Sequence, residues 1–211
     1  MIFPEYSSPR KDADPASAYL SGLSGRRIAV VATGALGAMY LPAWLHWLRA
    51  AAPTVHTRTI VTKSALGFVG LDALTAFSNV PPEIDDWGRS PRSPKHLDID
   101  DDVHAYVVHP ATMSFVSRMS AGLCDSPTML AIQGTKSPVV VAASAPPGFT
   151  DGPVWRRYES ELNARPNIHL LAPEDGVSAK DQMRTGSPPR PFPAVLEHLD
   201  ALFREDDNGH R

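Results

Sequence analysis

The sequence predicts a three-layer α/β domain around a central parallel sheet, and three observations carry that reading. Apolar, β-branched runs recur at 27–33, 55–62, 105–109, 138–143 and 167–171. Those at 27–33 and 138–143 are almost unbroken, as strands buried on both faces are. Helical stretches separate the runs, and strand–helix alternation implies parallel strands with helices on both faces. Prolines, 21 in 211 residues against a usual share of roughly 5%, cluster at 81–82, 91–94, 146–147 and 188–193. Proline is excluded from helix interiors and central strands, so each cluster marks a connection.

Residues 1–25 read as a poorly ordered arm with a short helix around 16–23, and 206–211 as a disordered tail, leaving one domain over 26–205. The strand at 27–33 enters Gly34-Ala35-Leu36-Gly37 and then an apolar helix over 38–51, whose Pro42 sits in the first turn. Residues 55–62 alternate as a second strand, after which Ser64 can cap a helix reaching residue 76. The polar, proline-rich stretch 78–95 reads as a long connection. A third strand over 105–109 runs into Pro110-Ala111-Thr112 and a helix to residue 122, with a short helix after Ser126. A fourth strand at 138–143, a loop over 144–153, a helix over 154–164, a strand at 167–171 and an amphipathic helix over 193–204 complete the chain.

Lysine and arginine (20) nearly balance aspartate and glutamate (23), giving a net charge of −3. That balance argues against nucleic acid, which needs a basic excess. A lone cysteine, Cys124, excludes an internal disulfide and a cysteine-rich metal site, and reads as buried packing. The acidic run Asp98, Asp100, Asp101, Asp102 reads as a solvated turn, and no metal is expected. No segment reaches about 18 uninterrupted apolar residues and no signal peptide is visible, so a cytoplasmic protein without membrane contact is expected.

In doubly wound sheets ligands bind beyond the carboxyl ends of the strands. There, Thr33-Gly34-Ala35-Leu36-Gly37 supplies small residues and free N–H groups at a helix start, suited to an anion or to a bare tight turn. Thr62-Lys63-Ser64 adds hydroxyls at a second helix start, where capping explains Ser64 as well as phosphate binding does.

The third loop is more specific. His109-Pro110-Ala111-Thr112-Met113-Ser114 resembles the Pro-Ala-Ser/Thr-x-Asn signature of the flavin-containing cysteine decarboxylases. That family includes phosphopantothenoylcysteine decarboxylase and the enzymes that process the carboxyl-terminal cysteine of ribosomal peptides. His96-Leu97-Asp98-Ile99, 14 residues before Pro110, is similar to the segment that carries the family's active-site histidine. Ala121-Gly122-Leu123-Cys124-Asp125-Ser126 and Lys136-Ser137-Pro138-Val139-Val140 match further stretches, and Gly34-Ala35-Leu36 resembles the first loop. Thr62-Lys63-Ser64-Ala65-Leu66-Gly67-Phe68 resembles the Thr-x-x-Ala-x-x-Phe segment. The resemblance spans roughly residues 26–176.

The resemblance implies a Rossmann-like (flavodoxin-like) sandwich binding FMN through Thr33, Gly34, Ala35, Leu36, Thr62, Ser64, Phe68, Pro110, Ala111, Thr112, Met113, Ser114, Ala143 and Ser144. It implies a flavin that takes two electrons from the substrate cysteine, loss of carbon dioxide from the resulting thioaldehyde, and an enethiol product. It makes His96 the acid–base group, a role that the ordinary histidine pKa of about 6.5 suits. Two positions depart from the pattern. Ser114 replaces an asparagine, and Asp151 in Gly148-Phe149-Thr150-Asp151-Gly152-Pro153-Val154-Trp155 replaces the asparagine that holds the substrate carboxylate. The expected partner is a precursor peptide ending in cysteine, processed toward aminovinyl-cysteine, by a homo-oligomer (a trimer or a dodecamer of trimers). The alternatives are phosphopantothenoylcysteine decarboxylation and a non-catalytic FMN-binding regulatory relative. His109 reads as a flavin contact or a core histidine bonded to backbone, His104 as solvent-facing or a subunit contact, and Trp44 and Trp47 as core or interface.

Overall fold

The computed structural model describes residues 19–78, 80–88, 95–100, 103–177 and 186–209. Six strands form one parallel sheet: β1 (Arg27–Ala32), β2 (His56–Val61), β3 (Glu83–Ile84), β4 (Ala105–Thr112), β5 (Val139–Ser144) and β6 (Ile168–Leu171). Their spatial order is β3-β2-β1-β4-β5-β6. Without the two-residue β3 this is the five-strand flavodoxin-like order, with the switch point between β1 and β4.

The helices are α1 (Leu41–Ala51), α2 (Leu71–Thr75), α3 (Lys95–Asp100), α4 (Met113–Ser120), α5 (Pro127–Gly134), α6 (Pro153–Asn163) and α7 (Phe192–Gly209). Alternation along the strands divides the core. Ile28, Val30, Val107 and Val140 pack with Leu41, Leu45 and Leu48 of α1 and Phe192, Val195, Leu196, Leu199 and Phe203 of α7. Ala29, Val31, Tyr106, Val108 and Val141 face α3 to α6 through Ile99, Phe115, Met119, Met129, Ile132, Trp155 and Leu162. The 3–4 spacing on α7 is the single apolar stripe an amphipathic helix buries.

Several expectations are corrected. Leu20 and Leu23 are buried in the first core, so the chain joins the domain before residue 26, and among the described residues of that stretch Ser21–Leu23 is helical. Residues 16–18 of the expected helix lie outside the described residues. At the other end α7 continues to Gly209, and Asp207 pairs with Arg26. The helix expected from Ser64 is a 3-10 turn over Lys63–Gly67 followed by the separate α2. Its cap is Thr62, whose hydroxyl accepts from the Ala65 N–H at 3.3 Å. Within the proline-rich connection, β3 forms because Arg58 on β2 grips Glu83 with two hydrogen bonds of 2.6 and 3.1 Å. The acidic run does not begin as a turn: residues 95–100 are α3, and Asp100 accepts a hydrogen bond from the buried Tyr106 hydroxyl. Asp101 and Asp102 lie outside the described residues. Cys124 is exposed rather than buried. The Nδ1 of partly exposed His104 accepts from the Arg27 N–H at 2.9 Å, tying the starts of β1 and β4. Trp44 stacks on Phe192 and meets Trp47 edge-on, which makes both part of the core packing.

Candidate flavin site

The third strand runs through its proline. β4 continues to Thr112 because the register with β5 shifts between Val108 and Ala111, and that irregularity absorbs Pro110, which follows a cis bond. The Pro110 carbonyl then accepts from both the Thr33 N–H (3.1 Å) and the Thr33 hydroxyl (2.8 Å). Thr33 Oγ1 in turn accepts from the Thr112 N–H at 2.8 Å. Three bonds through one buried threonine therefore lock the loop after β1 to the loop after β4, across the switch point.

The loop after β2 joins the same crevice. A Cβ built on Gly34 would stand 2.6 Å from both Cβ and Oγ of Ser64, so only glycine lets the two loops meet. Thr62 Oγ1 and Ser64 Oγ lie 3.0 Å apart, and the Thr62 N–H donates to the Ala32 carbonyl. On the β5 side, Thr112 pairs in register with Ser144 and Ala111 with Ala143.

Three helical turns begin at this crevice: Leu36–Tyr40, Lys63–Gly67 and α4, the last capped by Thr112 through the Phe115 N–H. The first N–H groups of a helix have no carbonyl one turn back. Those of Leu36 and Gly37, Lys63 and Ser64, and Met113 and Ser114 therefore suit an anionic group beside the Thr62 and Ser64 hydroxyls. Lys63, which sits among them, pairs with Asp86 at 3.0 Å. Leu36 (50% exposed), Met39 and Phe68 (41%) leave apolar side chains exposed. Hydroxyls, free N–H groups, a glycine-permitted close approach and exposed apolar side chains together fit a phosphate-bearing, planar apolar ligand such as a flavin mononucleotide.

The predicted loop residues Thr33, Gly34, Ala35, Leu36, Thr62, Ser64, Pro110, Ala111, Thr112, Met113, Ser114, Ala143 and Ser144 are thus brought to one end of the sheet. Phe68 lies one 3-10 turn further on. His96 and Asp151 have no described hydrogen bond or ion pair to these loops or to each other. His96 is half-buried on α3, edge-on to Trp87 at 6.1 Å, and its buried Nδ1 has no hydrogen-bond partner among the described residues. Asp151 ends an exposed 3-10 turn after β5, where Phe149 stacks on Tyr158.

His109 is 4% exposed; its Nε2 lies 2.9 Å from the Arg190 carbonyl, and burial pulls its pKa down to about 4. It is the core histidine bonded to backbone. Sequence reasoning missed Asp85, whose carboxylate accepts from the Ser126 hydroxyl (2.7 Å) and the Thr128 N–H (3.0 Å) at the start of α5. It also missed Pro189, which meets Gly37 beside Pro110. The proline run at 188–193 was the available signal for that contact.

A parallel sheet whose switch point gathers anion-ready loops defines a nucleotide- or flavin-binding α/β protein. Residues 16–181 match the Flavoprotein family, and the chain belongs to that family. Cypemycin cysteine dehydrogenase (decarboxylating) from a Streptomyces species is 28% identical over 187 residues, 88% of this chain and 96% of its own length. The crystal structure of cypemycin decarboxylase superposes with a TM-score of 0.71 at 26% identity, covering 87% of this chain and 97% of that one. The FMN-dependent cysteine decarboxylase SpaF superposes at 0.73 with 19% identity, covering 86% and 99%, a likeness of fold.

Proposed function

We propose that this protein is an FMN-dependent enzyme that oxidatively decarboxylates the carboxyl-terminal cysteine of a precursor peptide to an aminoenethiol, on the way to aminovinyl-cysteine. The observation that carries this is the Thr33–Pro110–Thr112 lock with Gly34 seated on Ser64, which gathers the loops after β1, β2 and β4 at the switch point. The similarity to cypemycin cysteine dehydrogenase supports the choice of reaction and of a peptide substrate.

Bound FMN would supply the two-electron acceptor that makes the cysteine's carboxylate able to leave as carbon dioxide. The protein's part is to bind and orient. Thr62, Ser64 and the N–H groups at Gly34, Leu36 and Gly37 hold the phosphate and sugar end. Pro110, Ala111, Thr112, Met113, Ser114, Ala143 and Ser144 shape the place of the ring, and Phe68 and Leu36 shield it from water. His96 takes and returns the proton on the substrate sulfur, an exchange that an imidazole suits near neutral pH. Asp151 lies on the substrate side, where its charge tunes the hold on the peptide carboxylate.

The protein acts as a homo-oligomer, a trimer or a dodecamer of trimers, in which a neighbouring subunit completes the site. Exposed Trp87, Leu97 and Leu123, near α3 and the start of α5, supply apolar surface for such contacts. No described helix is long and apolar enough to cross a membrane, in keeping with a cytoplasmic site of action.

Incubation with peptides ending in cysteine, read by mass spectrometry, tests the proposal. Loss of carbon dioxide and two hydrogens from such a peptide supports it. Decarboxylation of phosphopantothenoylcysteine alone would assign the coenzyme A pathway reaction instead. A flavin-loaded protein inert on every cysteine substrate would leave a binding role.

A further inference from the structure

We propose that His109 is a positioning residue of the flavin site, whose Nε2–H fixes the 186–191 segment against the loops after β1 and β4. The inference rests on the flavin reading of those loops but concerns a side chain outside the crevice.

Three observations converge on it. First, the imidazole is enclosed, with Phe192 edge-on at 5.3 Å, and its Nε2 meets the Arg190 carbonyl at 2.9 Å. A carbonyl only accepts, so Nε2 carries the hydrogen. Arg190 itself is exposed, so without this donor its carbonyl would turn to water and carry the segment outward. An apolar residue would pack on Phe192 at least as well; the bond to Arg190 is what accounts for a histidine there.

Second, His109 is joined directly to Pro110, whose carbonyl takes both bonds from Thr33. One dipeptide thus locks the two flavin loops through its backbone and the 186–191 segment through its side chain.

Third, that segment lies against the cofactor loops. Ala145, just past β5, donates its N–H to the Ser187 carbonyl at 3.1 Å, and Glu174 N–H donates to the Pro188 carbonyl at 3.0 Å. Gly176 and Gly186 exchange N–H···O bonds of 2.9 and 2.8 Å. Pro189 then reaches Gly37: a Cβ on that glycine would sit 3.7 Å from Cγ of Pro189 and 3.7 Å from Cγ of Pro110. Gly37 carries one of the free N–H groups of the crevice, so Pro189 and Pro110 flank a donor of the phosphate site. Releasing Arg190 loosens Pro189 and with it the aim of that N–H.

Glutamine and methionine are close in size, but only His109→Gln keeps an N–H donor near the place of Nε2. Two readouts are taken: FMN affinity by titration of flavin-stripped protein, and amide hydrogen exchange of the flavin-free protein. His109→Met is expected to weaken FMN binding about tenfold, the size of one lost hydrogen bond. It should speed exchange at Ala145, Glu174, Gly176 and Gly186 at least about tenfold, while Val30 and Ile60 in the sheet stay protected. His109→Gln should restore both to within about threefold. Faster exchange spread evenly over the sheet, wild-type exchange in His109→Met, unchanged FMN affinity there, or no rescue by glutamine would each overturn the proposal. If His109→Met does not fold, Pro189→Ala replaces it: weaker FMN binding supports the proposal and wild-type affinity overturns it. If the wild-type protein itself takes up no FMN, the flavin reading fails, and the exchange comparison still decides whether His109 holds the segment.

Discussion

Gly34→Ala tests the crevice at its tightest point. The added methyl would stand 2.6 Å from Cβ and Oγ of Ser64 and 3.0 Å from the Ser64 carbonyl carbon, well inside van der Waals contact. The Oγ can rotate away, but the Cβ and the carbonyl carbon move only with the backbone, so a loop has to move. Overpacking of this kind costs about 1–3 kcal/mol. The β1 loop is pinned by the Thr33–Pro110–Thr112 bonds, so the β2 loop, with its exposed Ser64, is the one displaced. Displacement pulls the Ser64 hydroxyl and N–H off the phosphate, and FMN affinity should fall by roughly tenfold or more. Ser64→Gly removes both the Cβ and the Oγ that the methyl would strike. In the double variant Gly34→Ala/Ser64→Gly most of the stability loss should return, a coupling of at least about 1 kcal/mol in a urea-denaturation cycle. FMN affinity should recover less, because the serine hydroxyl is gone. Strictly additive stabilities would show that the loops do not touch, and the shared crevice would be wrong.

His96→Asn is expected to keep FMN and the oligomeric state yet lose about a hundredfold or more in turnover of a cysteine-ending peptide; near-native turnover would return His96 to an ordinary helix position and fail the acid–base assignment. With Asp151 beside the peptide carboxylate as proposed, Asp151→Asn removes a repelling charge, so KM for the peptide should fall severalfold with kcat little changed, and an unchanged KM would place Asp151 away from the carboxylate. His109 is held neutral in the fold, with its pKa lowered by burial to about 4, while the unfolded chain protonates near 6.5. The unfolded state therefore binds the extra proton, and this contribution, about 3 kcal/mol, is complete above pH 6.5 and lost progressively down to about pH 4. Lowered pKa values at His169 and His198, caused first by burial and then by neighbouring charge, act in the same direction. His109→Gln should flatten the fall in unfolding free energy between pH 6.5 and 4; the same slope in both proteins would refute the assignment.

What the sequence made legible were the features with a strong local cause. The unbroken apolar runs at 27–33 and 138–143 became central strands buried on both faces. The loops expected after Thr33, Thr62 and Ala143 followed from strand–helix alternation alone, each within a residue of the observed strand ends at Ala32, Val61 and Ser144. What escaped had its cause elsewhere in the chain. β3 has only two residues and depends on Arg58 of the neighbouring strand. Pro110 argued for the end of a strand, but the shifted register against β5 let β4 run on. Thr62 rather than Ser64 caps the turn at Lys63–Gly67, a difference of two residues that hydroxyl chemistry alone cannot decide. Leu20 and Leu23 looked like part of an arm because their partners on α7 lie about 180 residues away. The bond from His109 to Arg190, likewise, joins residues 81 apart.

The proposed reaction brings bound FMN and a peptide's carboxyl-terminal cysteine together at the crevice beyond β1, β2 and β4. The most direct test is a single turnover without oxygen, mixing the flavin-loaded protein with a cysteine-ending peptide and its serine-ending counterpart. The account expects the cysteine peptide to bleach the visible flavin band, with one decarboxylated, dehydrogenated peptide formed per flavin, and the serine peptide to do neither. A protein that takes up no FMN, or a flavin-loaded one whose band and peptide mass both stay unchanged with every cysteine-ending peptide, would contradict it.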